Sequence, residues 1–268
     1  MRATPELPDR SAQVAEWLVR EHASGQRFRP FCTEQGIESL SAAYDVQRAY
    51  VALQAEARQA ARAGYKIGLT SATMQAMCGI DTPVAGVVLD DRVHASGVRL
   101  DRSQHGRLGV EFEIAIRLGR DLNPLDRPAT LADVEMAVDA VAPAIEIVDD
   151  RSCDYKTLDV LSLVADNAWN AGIVLGEFRT SWPDLAAVEG TVSAKGGEFV
   201  GRGRGADVLG HPLLPVVWLA NHLGRSGEGL RAGEVVMTGS MVSTKFPTEP
   251  ERYRFDVTGL GSVEASVR

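Results

Sequence analysis

Two glutamates stand two positions apart in a segment that otherwise has the pattern of a buried strand. The segment "GVEFEIAIRLGRDL", residues 109–122, places Glu111 and Glu113 among apolar residues. Alternate side chains of a strand point to the same face, so the two carboxylates share one face, with Cα atoms about 6.5 to 7 Å apart. An ordinary strand with its charged face in water would show the same pattern.

A third carboxylate favours a binding site. Glu146 lies in "APAIEIVDD" between Ile145 and Ile147, in a run apolar enough to be covered on both faces, and no Lys or Arg stands within four residues of it. An ionised glutamate buried there needs a distant cation or a metal as partner. Three carboxylates without His or Cys form a hard oxygen site that suits Mg²⁺ or Mn²⁺ rather than zinc.

Lysine is rare in this chain, which makes the position of Lys66 informative. Only four of the 28 basic residues are lysines. Lys66 lies in the apolar segment "GYKIGLT", where burial is expected to lower the pKa of its ammonium toward the working pH and to make it a titratable base. The alternative is a surface lysine whose stem packs along apolar neighbours while its charge reaches water.

The elements that would position these residues change in character once along the chain. Residues 10–63 have helical spacing in "SAQVAEWLVREHASG" and "SAAYDVQRAYVALQAEARQAARAG", and the second helix is predicted to end at Gly64. Short apolar runs follow, punctuated by Gly, Pro and Asp and typical of strands. The predicted strands are "YKIGLT", "AGVVLDD", "VEFEIAIRL", "APAIEIVD", "AGIVLGE", "VEGTVSAKG", "EVVMTGS" and "YRFDVTGLGSVEASV".

Three helical patches interrupt the strands. They are "SATMQAMCG", "TLADVEMAVDAV" with Thr130 as the predicted N-cap, and "PLLPVVWLANHLGRSG". Because helices come first and strand-helix alternation is scarce, the pattern predicts an α+β fold and not a doubly wound sheet. We expect a helical region at 1–64 and a mixed β region at 65–268, forming one integrated unit. "GRGRG" at 201–205 is predicted to be a turn rather than a phosphate cradle.

Composition excludes several classes of protein. A net charge of -8 and a pI near 5.2 argue against nucleic acid as a partner, because that binding is driven by Lys and Arg. The three cysteines are too few and too widely spaced for a disulfide framework or a zinc site, which fits a reducing cytoplasm. We expect no membrane span, and no export signal in "MRATPELPDR".

Six motifs together resemble the 2-keto-4-pentenoate hydratase group of the fumarylacetoacetate hydrolase superfamily, which also contains 4-oxalocrotonate decarboxylases. They occur in the family's order over roughly residues 10–268: "KIGLTSATMQAMCGIDTPVAGVVLDD", "GVEFEIAIRLGRDL", "AIEIVDDR", "VADNAWNAGIVLGE", "LGHPLLPVVWLANHLG" and "LRAGEVVMTGS". The resemblance implies N-terminal helices followed by a mixed β-roll, a divalent metal, and 2-oxo or 2-hydroxydienoate substrates from the meta-cleavage of aromatic rings.

The resemblance also implies roles for individual residues. Glu111, Glu113 and Glu146 match the metal ligands. Lys66 matches the lysine of a "K.GLT" motif and Asp81 the aspartate of a "G.D.P" motif, which makes them the candidate catalytic pair for proton transfer. The implied substrate-binding residues are Leu69, Trp169, Gly239 and Ser240. Trp169 replaces a serine that often follows "ADNA" in the hydratases, so it either narrows the pocket, stacks on an unsaturated chain or packs beneath the roll. The "MTGS" segment that holds Gly239 and Ser240 binds a carboxylate or is a plain turn.

Three reactions share the implied chemistry. A 2-oxo acid can chelate a metal that stabilises an enolate, and Lys66 can then move protons on and off carbon. Hydration of the dienoate is the preferred interpretation, decarboxylation of an oxalocrotonate-like diacid comes second and hydrolysis of an acylpyruvate third. The hydrolase branch usually needs a His and Glu dyad, and neither His22 nor His94 has a convincing dyad spacing; His211 has the position of a helix entry.

Other classes of function stay open. The chain could be a partner subunit that has lost activity, since decarboxylases and hydratases of this group associate, or a 2-oxo acid binding protein. We expect a homo-oligomer, although the apolar stretch "HPLLPVVWLANHL" could pack either against a neighbour or inside the molecule.

Overall fold

A computed structural model describes residues 9–268 of the chain. The N-terminal segment in which we expect no export signal lies largely within residues 1–8, outside the described residues. The described helices are α1 Arg10–Ala23, α2 Leu40–Arg58, α3 Ala72–Met77, α4 Leu131–Ala137, α5 Val160–Ala165 and α6 Leu213–Gly224. The strands are β1 Arg62–Gly68, β2 Val84–Leu89, β3 Val93–Ala95, β4 Val98–Leu100, β5 Leu108–Leu118, β6 Val138–Asp149, β7 Asn170–Leu175, β8 Glu189–Ser193, β9 Phe199–Arg204, β10 Val235–Lys245, β11 Glu251–Val257 and β12 Gly261–Val267.

The predicted pair of N-terminal helices is present, but α2 ends earlier than the sequence suggested. The side chain of Ser39 caps α2 by accepting a hydrogen bond from the Ala42 amide, and the helix stops at Gln59, whose φ of 53° is left-handed. Gly64 is not a helix stop; it lies inside β1. A Cβ at Gly64 would lie 1.8 Å from the Val235 carbonyl oxygen, so the glycine allows β1 to approach β10 closely.

The main sheet carries the residues singled out by sequence analysis. It has seven strands in the order β2-β1-β10-β5-β6-β7-β3. Strand pairs β1–β10 and β3–β7 are parallel, whereas the other four pairs are antiparallel, so the sheet is mixed. Its central strands β5 and β6 are almost wholly buried, and β6 contacts α4 as well as the second sheet.

The second sheet closes the roll. It has five strands in the order β4-β12-β11-β8-β9, and β11 and β12 contact β6 of the main sheet. The interface between the sheets is filled by large buried side chains such as Phe112 and Phe255, whose ring centroids lie 5.6 Å apart. The predicted α+β order, helices followed by mixed β-structure, is therefore confirmed.

Two local predictions are wrong. The patch at 130–141 is helical only to Ala137, and β6 begins at Val138; Thr130 does cap the helix, in a capping box with Asp133. The "GRGRG" segment is not a turn, because four of its residues belong to β9, which pairs with β8. Its glycines fit closely packed neighbours: a Cβ at Gly203 would lie 1.9 Å from the Met241 carbonyl oxygen.

One side of the apolar stretch around α6 packs inside the molecule, whereas Leu214 on that helix is exposed. Leu213, Val216, Leu219, Ala220 and Leu223 are buried along one side of that helix, at the spacing of a helical stripe. Across residues 9–268, none of the helices has both the length and the apolar character needed to cross a bilayer.

Candidate active site

The register of β5 against β6 brings the three glutamates together. Glu111 lies directly opposite Glu146 in this antiparallel pair, and Glu113 follows on the same face of β5. One carboxylate oxygen of each residue lies within 4.8 Å of the others. Glu113 and Glu146 are fully buried and Glu111 is half-buried, so the interpretation of an ordinary solvent-facing strand is wrong for this segment.

Hydrogen bonds orient each carboxylate but leave part of it free. Oε1 of Glu111 accepts a hydrogen bond from Thr244, and Oε2 of Glu113 accepts one of 2.7 Å from the Gly239 amide. Oε1 of Glu146 accepts one of 2.9 Å from Asn170. Buried Oε1 of Glu113 and Oε2 of Glu146 have no hydrogen-bond partner.

This donor set fits a hard divalent cation. Unpartnered buried carboxylate oxygens are costly unless something binds them. Here two such oxygens belong to a cluster of three carboxylates, and the ammonium of Lys66 lies beside one of them. Oxygen ligands without nitrogen or sulfur suit Mg²⁺ or Mn²⁺. Glu111, Glu113 and Glu146 are therefore the residues that could hold the metal.

The two buried glutamates resist ionisation in the absence of a metal. Burial raises the pKa of Glu146 to about 7; Lys66 opposes this shift and the charge of Glu111 adds to it. Burial also raises the pKa of Glu113 well above its ordinary value, and the neighbouring carboxylates add to the effect. Like charges at this distance cannot all be ionised cheaply without a cation between them.

Lys66 is buried, as expected, but the expected direction of its pKa shift is wrong. Its Nζ lies 3.1 Å from Oε1 of Glu146. Burial lowers the pKa of Lys66, but the negative charges of Glu146, Glu111 and Glu113 outweigh it, so the net pKa is raised. Without a bound metal, the carboxylates therefore favour the ammonium form of Lys66, and its burial shows that the alternative of a surface lysine is wrong.

The ammonium of Lys66 and the side chain of Glu111 line a cavity of about 710 Å³. Most of its wall is apolar or aromatic, including Leu69, Leu163, Trp169 and Phe246. A concave, mostly apolar space with a few polar groups at one place is the usual form of a small-molecule site. The cavity thus offers room for an unsaturated carbon chain beside the carboxylate cluster.

Strained backbone shapes this wall. Asn167, Ala168 and Trp169 have consecutive left-handed φ angles of 51°, 47° and 59°, and Leu69 has a φ of 56°. Each such residue costs on the order of 1–3 kcal/mol and persists only where its surroundings hold it. The Asn167 side chain supplies part of this support through hydrogen bonds to the Val87 amide and carbonyl.

The structure brings most of the predicted substrate-binding residues to the cavity. Leu69, Trp169 and Ser240 line it. Trp169 is 7% exposed and packs edge-on against Phe28 and Tyr155, so it both forms the wall and packs into the fold. The hydroxyl of Ser240 donates to the Val242 carbonyl, 2.7 Å away, and accepts from the Phe112 amide, so its hydrogen is already used.

Two of the predicted site residues, Gly239 and Asp81, do not line the cavity. The Gly239 amide is not available to bind a substrate carboxylate, because it donates to Glu113; the glycine is required there, since a Cβ would lie 2.2 Å from the hydroxyl oxygen of Thr70. Asp81 is exposed in the loop between α3 and β2 and is absent from the cavity lining. It lies three residues after Cys78, which does line the cavity.

The histidines have structural positions. None of the residues that line the cavity in the described chain is a histidine. Nε2 of His22 lies 2.6 Å from Asp166, which also binds Arg151, and the ring of His211 accepts a hydrogen bond from the Leu213 amide at the start of α6. His94 lies on β3, paired with β7. This arrangement offers no His and Glu dyad to activate water in the cavity.

Sequence reasoning missed the residues that orient the carboxylates. Asn170 and Thr244 each donate a side-chain hydrogen bond to one of the three glutamates. Asn170 directly follows Trp169 in the "ADNAWN" segment, so its place in a recognised motif was an available signal. Thr244 had none, because its contact depends on how β10 pairs with β5.

Comparisons with known proteins agree with this geometry. Residues 43–268 match the family "Fumarylacetoacetate (FAA) hydrolase C-terminal". The chain is 35% identical over 255 residues to 2-keto-4-pentenoate hydratase 1 of Dechloromonas aromatica, covering 94% of this chain and 95% of that one. It is 37% identical over 204 residues to a 4-oxalocrotonate decarboxylase of Pseudomonas putida, covering 75% and 76%.

A solved structure shares the fold over nearly the whole length. The 4-oxalocrotonate decarboxylase from Pseudomonas putida G7, in complex with magnesium and adipate, superposes with a TM-score of 0.90 at 30% identity and covers 98% of both chains.

Proposed function

Because the chain belongs to the fumarylacetoacetate hydrolase family, we propose that it is a metal-dependent hydratase of aromatic meta-cleavage catabolism. It adds water to a 2-hydroxy-2,4-dienoate of the 2-keto-4-pentenoate type and produces a 4-hydroxy-2-oxo acid. The observation that carries this proposal is the cluster of Glu111, Glu113 and Glu146 beside the buried ammonium of Lys66, at the edge of an apolar cavity.

The proposed metal is Mg²⁺ or Mn²⁺, held by Glu111, Glu113 and Glu146. When bound, it would supply a Lewis acid for the oxygens of a 2-oxo acid and offset the negative charge that develops there. Thr244, Gly239 and Asn170 hold the three carboxylates in place through their hydrogen bonds. Such partners keep ligand side chains in one orientation and limit the reorganisation that binding requires.

Lys66 is the proposed proton carrier. Its ammonium, which the neighbouring carboxylates favour, can donate a proton to C5 of the dienoate. The resulting amine then takes the proton of the 2-hydroxyl group, which leaves a 2-oxo-3-enoate. Water adds to this compound with its oxygen at C4 and a proton at C3, and the product is the 4-hydroxy-2-oxo acid. Asp81, near the wall residue Cys78 in the chain, is retained as a candidate relay for one of these protons.

The second candidate is a 4-oxalocrotonate-type decarboxylase. The TM-score of 0.90 with such an enzyme and the 37% identity to another favour it. An acylpyruvate hydrolase is a weaker candidate, because no histidine lines the cavity within the described residues. A non-catalytic partner subunit or a 2-oxo acid binding protein would have no need for the buried pair of Lys66 and Glu146.

One assay separates these candidates. Purified protein is incubated with 2-hydroxydienoate monoacids and diacids, in Mg²⁺ and in chelator, while dienoate absorbance is followed and product mass is recorded. A hydratase gives a product heavier by one water, only with metal. A product lighter by one CO₂ would instead establish a decarboxylase, and metal-dependent binding without turnover would establish a binding protein.

We also propose that the protein acts in the cytoplasm as a homo-oligomer that can associate with a related decarboxylase or hydratase. The three unpaired cysteines are consistent with a reducing compartment. Light scattering after size-exclusion chromatography tests the assembly: a mass equal to one chain of 28.8 kDa at all concentrations would contradict it.

A further inference from the structure

The cavity is much larger than the smallest substrate of the proposed reaction requires. Its volume of about 710 Å³ lies in the range of about 300–1,000 Å³ that commonly holds drug-sized ligands, whereas a five-carbon acid fills only a small part of it. Away from Lys66 and Glu111, much of the wall consists of aliphatic, aromatic and thioether side chains, among them Met74, Leu158 and Phe246. Such a wall gains free energy when an apolar group covers it.

The cavity offers no free positive charge. Within the described part of the chain, the charged residues that line it are Lys66, Glu111 and Asp207. Lys66 is committed to Glu146, and the other two are acidic. A negatively charged group placed against this wall would meet a few serine and threonine hydroxyls but no uncommitted cation.

The arginines that lie behind the wall are also committed. Arg107 binds buried Asp150 and lies over the rings of Tyr155 and Phe246, with its guanidinium carbon 4.6 Å from the centroid of Phe246. Arg151 binds Asp166, 2.6 Å away. Turning either guanidinium toward the cavity would remove the arginine that balances the charge of a buried carboxylate, at high cost.

Accepting the proposed function, we propose that the natural substrate is a 2-hydroxy-2,4-dienoate with an uncharged apolar group at C5, and that the cavity discriminates against dienoates with a second carboxylate at that end. The C1 carboxylate and 2-oxygen lie toward the carboxylate cluster, and the C5 group lies against the apolar wall. A second carboxylate there would lose its hydration without gaining a cation as partner, and each factor of ten in specificity corresponds to about 1.4 kcal/mol.

A matched pair of substrates tests this selectivity. 2-Hydroxyhepta-2,4-dienoate and its 1,7-dioate share a seven-carbon chain and differ only in a methyl group or a carboxylate at C7. In Mg²⁺, we expect kcat/KM to be about 100-fold higher for the monoacid, and the monoacid to be turned over at least as well as unsubstituted 2-hydroxypenta-2,4-dienoate. Equal values for the pair, or turnover of the unsubstituted dienoate alone, would overturn the inference while leaving the proposed function intact.

Binding of unreactive analogues provides an independent reading. Calorimetric titration with 2-oxohexanoate and 2-oxohexanedioate in Mg²⁺ compares a methyl with a carboxylate at C6. If none of the dienoates is hydrated, the proposed function fails, and the titration still decides the inference. Tighter binding of the monoacid supports an apolar, cation-free wall, and equal or tighter binding of the diacid contradicts it.

A charge introduced on α3 supplies the matched variants. Met74 lines the cavity and is 38% exposed, whereas Met77, three residues later, is 50% exposed and outside the lining. Met74→Arg should raise kcat/KM for the dioate by about tenfold, because it adds the missing cation to the wall. The position is exposed enough to accommodate an arginine side chain without disturbing the fold. Met77→Arg should leave that value unchanged. Equal gains in both variants, or a gain in neither, would contradict the assignment of the wall.

Discussion

Glu111 and Glu146 lie directly opposite each other on the adjacent antiparallel strands β5 and β6. Like charges in opposite positions destabilise a pair of strands, so this arrangement needs an external compensation. Lys66 compensates one carboxylate, and Glu113 adds a third negative group on the same face. A bound dication would turn the repulsion of the cluster into attraction, which is the physical basis of the predictions that follow.

Glu113→Gln should remove metal-dependent activity and leave the fold intact. The substitution keeps the size of the side chain and removes one buried carboxylate whose Oε1 has no partner. We expect metal affinity to fall by more than the about 10- to 100-fold typical of outer-shell changes. The metal-free variant should be at least as stable as the wild type, because a neutral amide replaces a carboxyl group whose ionised form is costly to bury.

Calorimetric Mn²⁺ titration and thermal unfolding measure these two effects of Glu113→Gln. Glu135→Gln, at an exposed position on α4, is the matched control and should change neither. An unfolded Glu113→Gln protein, or one with unchanged Mn²⁺ affinity, would count against the metal site.

Lys66→Ala should separate catalysis from metal binding. Removing the proposed proton carrier is expected to lower kcat by about 10²- to 10⁴-fold. Metal affinity should be equal or tighter, because a positive charge 3.1 Å from Glu146 is removed. Steady-state kinetics with Mn²⁺ titration of the same sample measure both, and exposed Lys195→Ala is the control. Turnover at the wild-type rate would show that Lys66 carries no proton.

The stability of the metal-free protein should fall as pH rises from about 4.5 to 7. The pKa of Glu146 is about 7 in the folded protein against an ordinary value of 4.5, so the unfolded chain releases this proton first. Between these values the folded state binds more protons, and the free energy of unfolding therefore decreases with pH. Because the metal needs ionised carboxylates, its apparent affinity should rise over the same window.

Chemical denaturation at several pH values, in chelator and in Mg²⁺, tests this dependence. Glu146→Gln should flatten the slope in chelator. A metal-free stability that increases from pH 5 to 7 would contradict the assignment of a raised pKa to this buried glutamate.

Asp166→Asn should destabilise the protein, because it breaks a buried network of charged side chains close to the cavity wall. Asp166 is buried between His22 and Arg151, and despite its burial the hydrogen bonds and charge interactions with these two residues hold its pKa below the usual range. Removing its charge leaves Arg151 buried and unpaired, at a cost of about 3–5 kcal/mol. Asp139→Asn, which breaks an exposed pair with Arg117, should cost about 0–1 kcal/mol in the same denaturant titration. Equal costs for the two variants would show that the buried network contributes no more than a surface pair.

The strand pattern was enough to predict that Glu111 and Glu113 share a face, whereas Glu146 was added because it is buried without a local cation and because of the family resemblance. The two-residue spacing of Glu111 and Glu113 sets their common face whatever the rest of the fold does. The pKa of Lys66 depends on Glu146, which lies three strands away in the sheet order, and such a contact has no local signal. For the same reason the contacts of Thr244 and Asn170 were missed.

Element boundaries were predicted less well where local patterns are ambiguous. The run at 130–141 keeps helical spacing past Ala137, but tertiary pairing with β5 makes the residues from Val138 a strand. A glycine after a helical run, such as Gly64, is typical of a helix end. In the structure, Gly64 instead allows β1 to approach β10 closely. In each case a partner strand distant in sequence decides the conformation.

Anomalous diffraction from crystals soaked in Mn²⁺ tests the central claim most directly. We expect one strong peak within coordination distance of carboxylate oxygens from Glu111, Glu113 and Glu146, lost in crystals of Glu113→Gln. Wild-type crystals with no peak among these three side chains, or with the strongest peak elsewhere on the molecule, would contradict the claim that the cluster holds the metal.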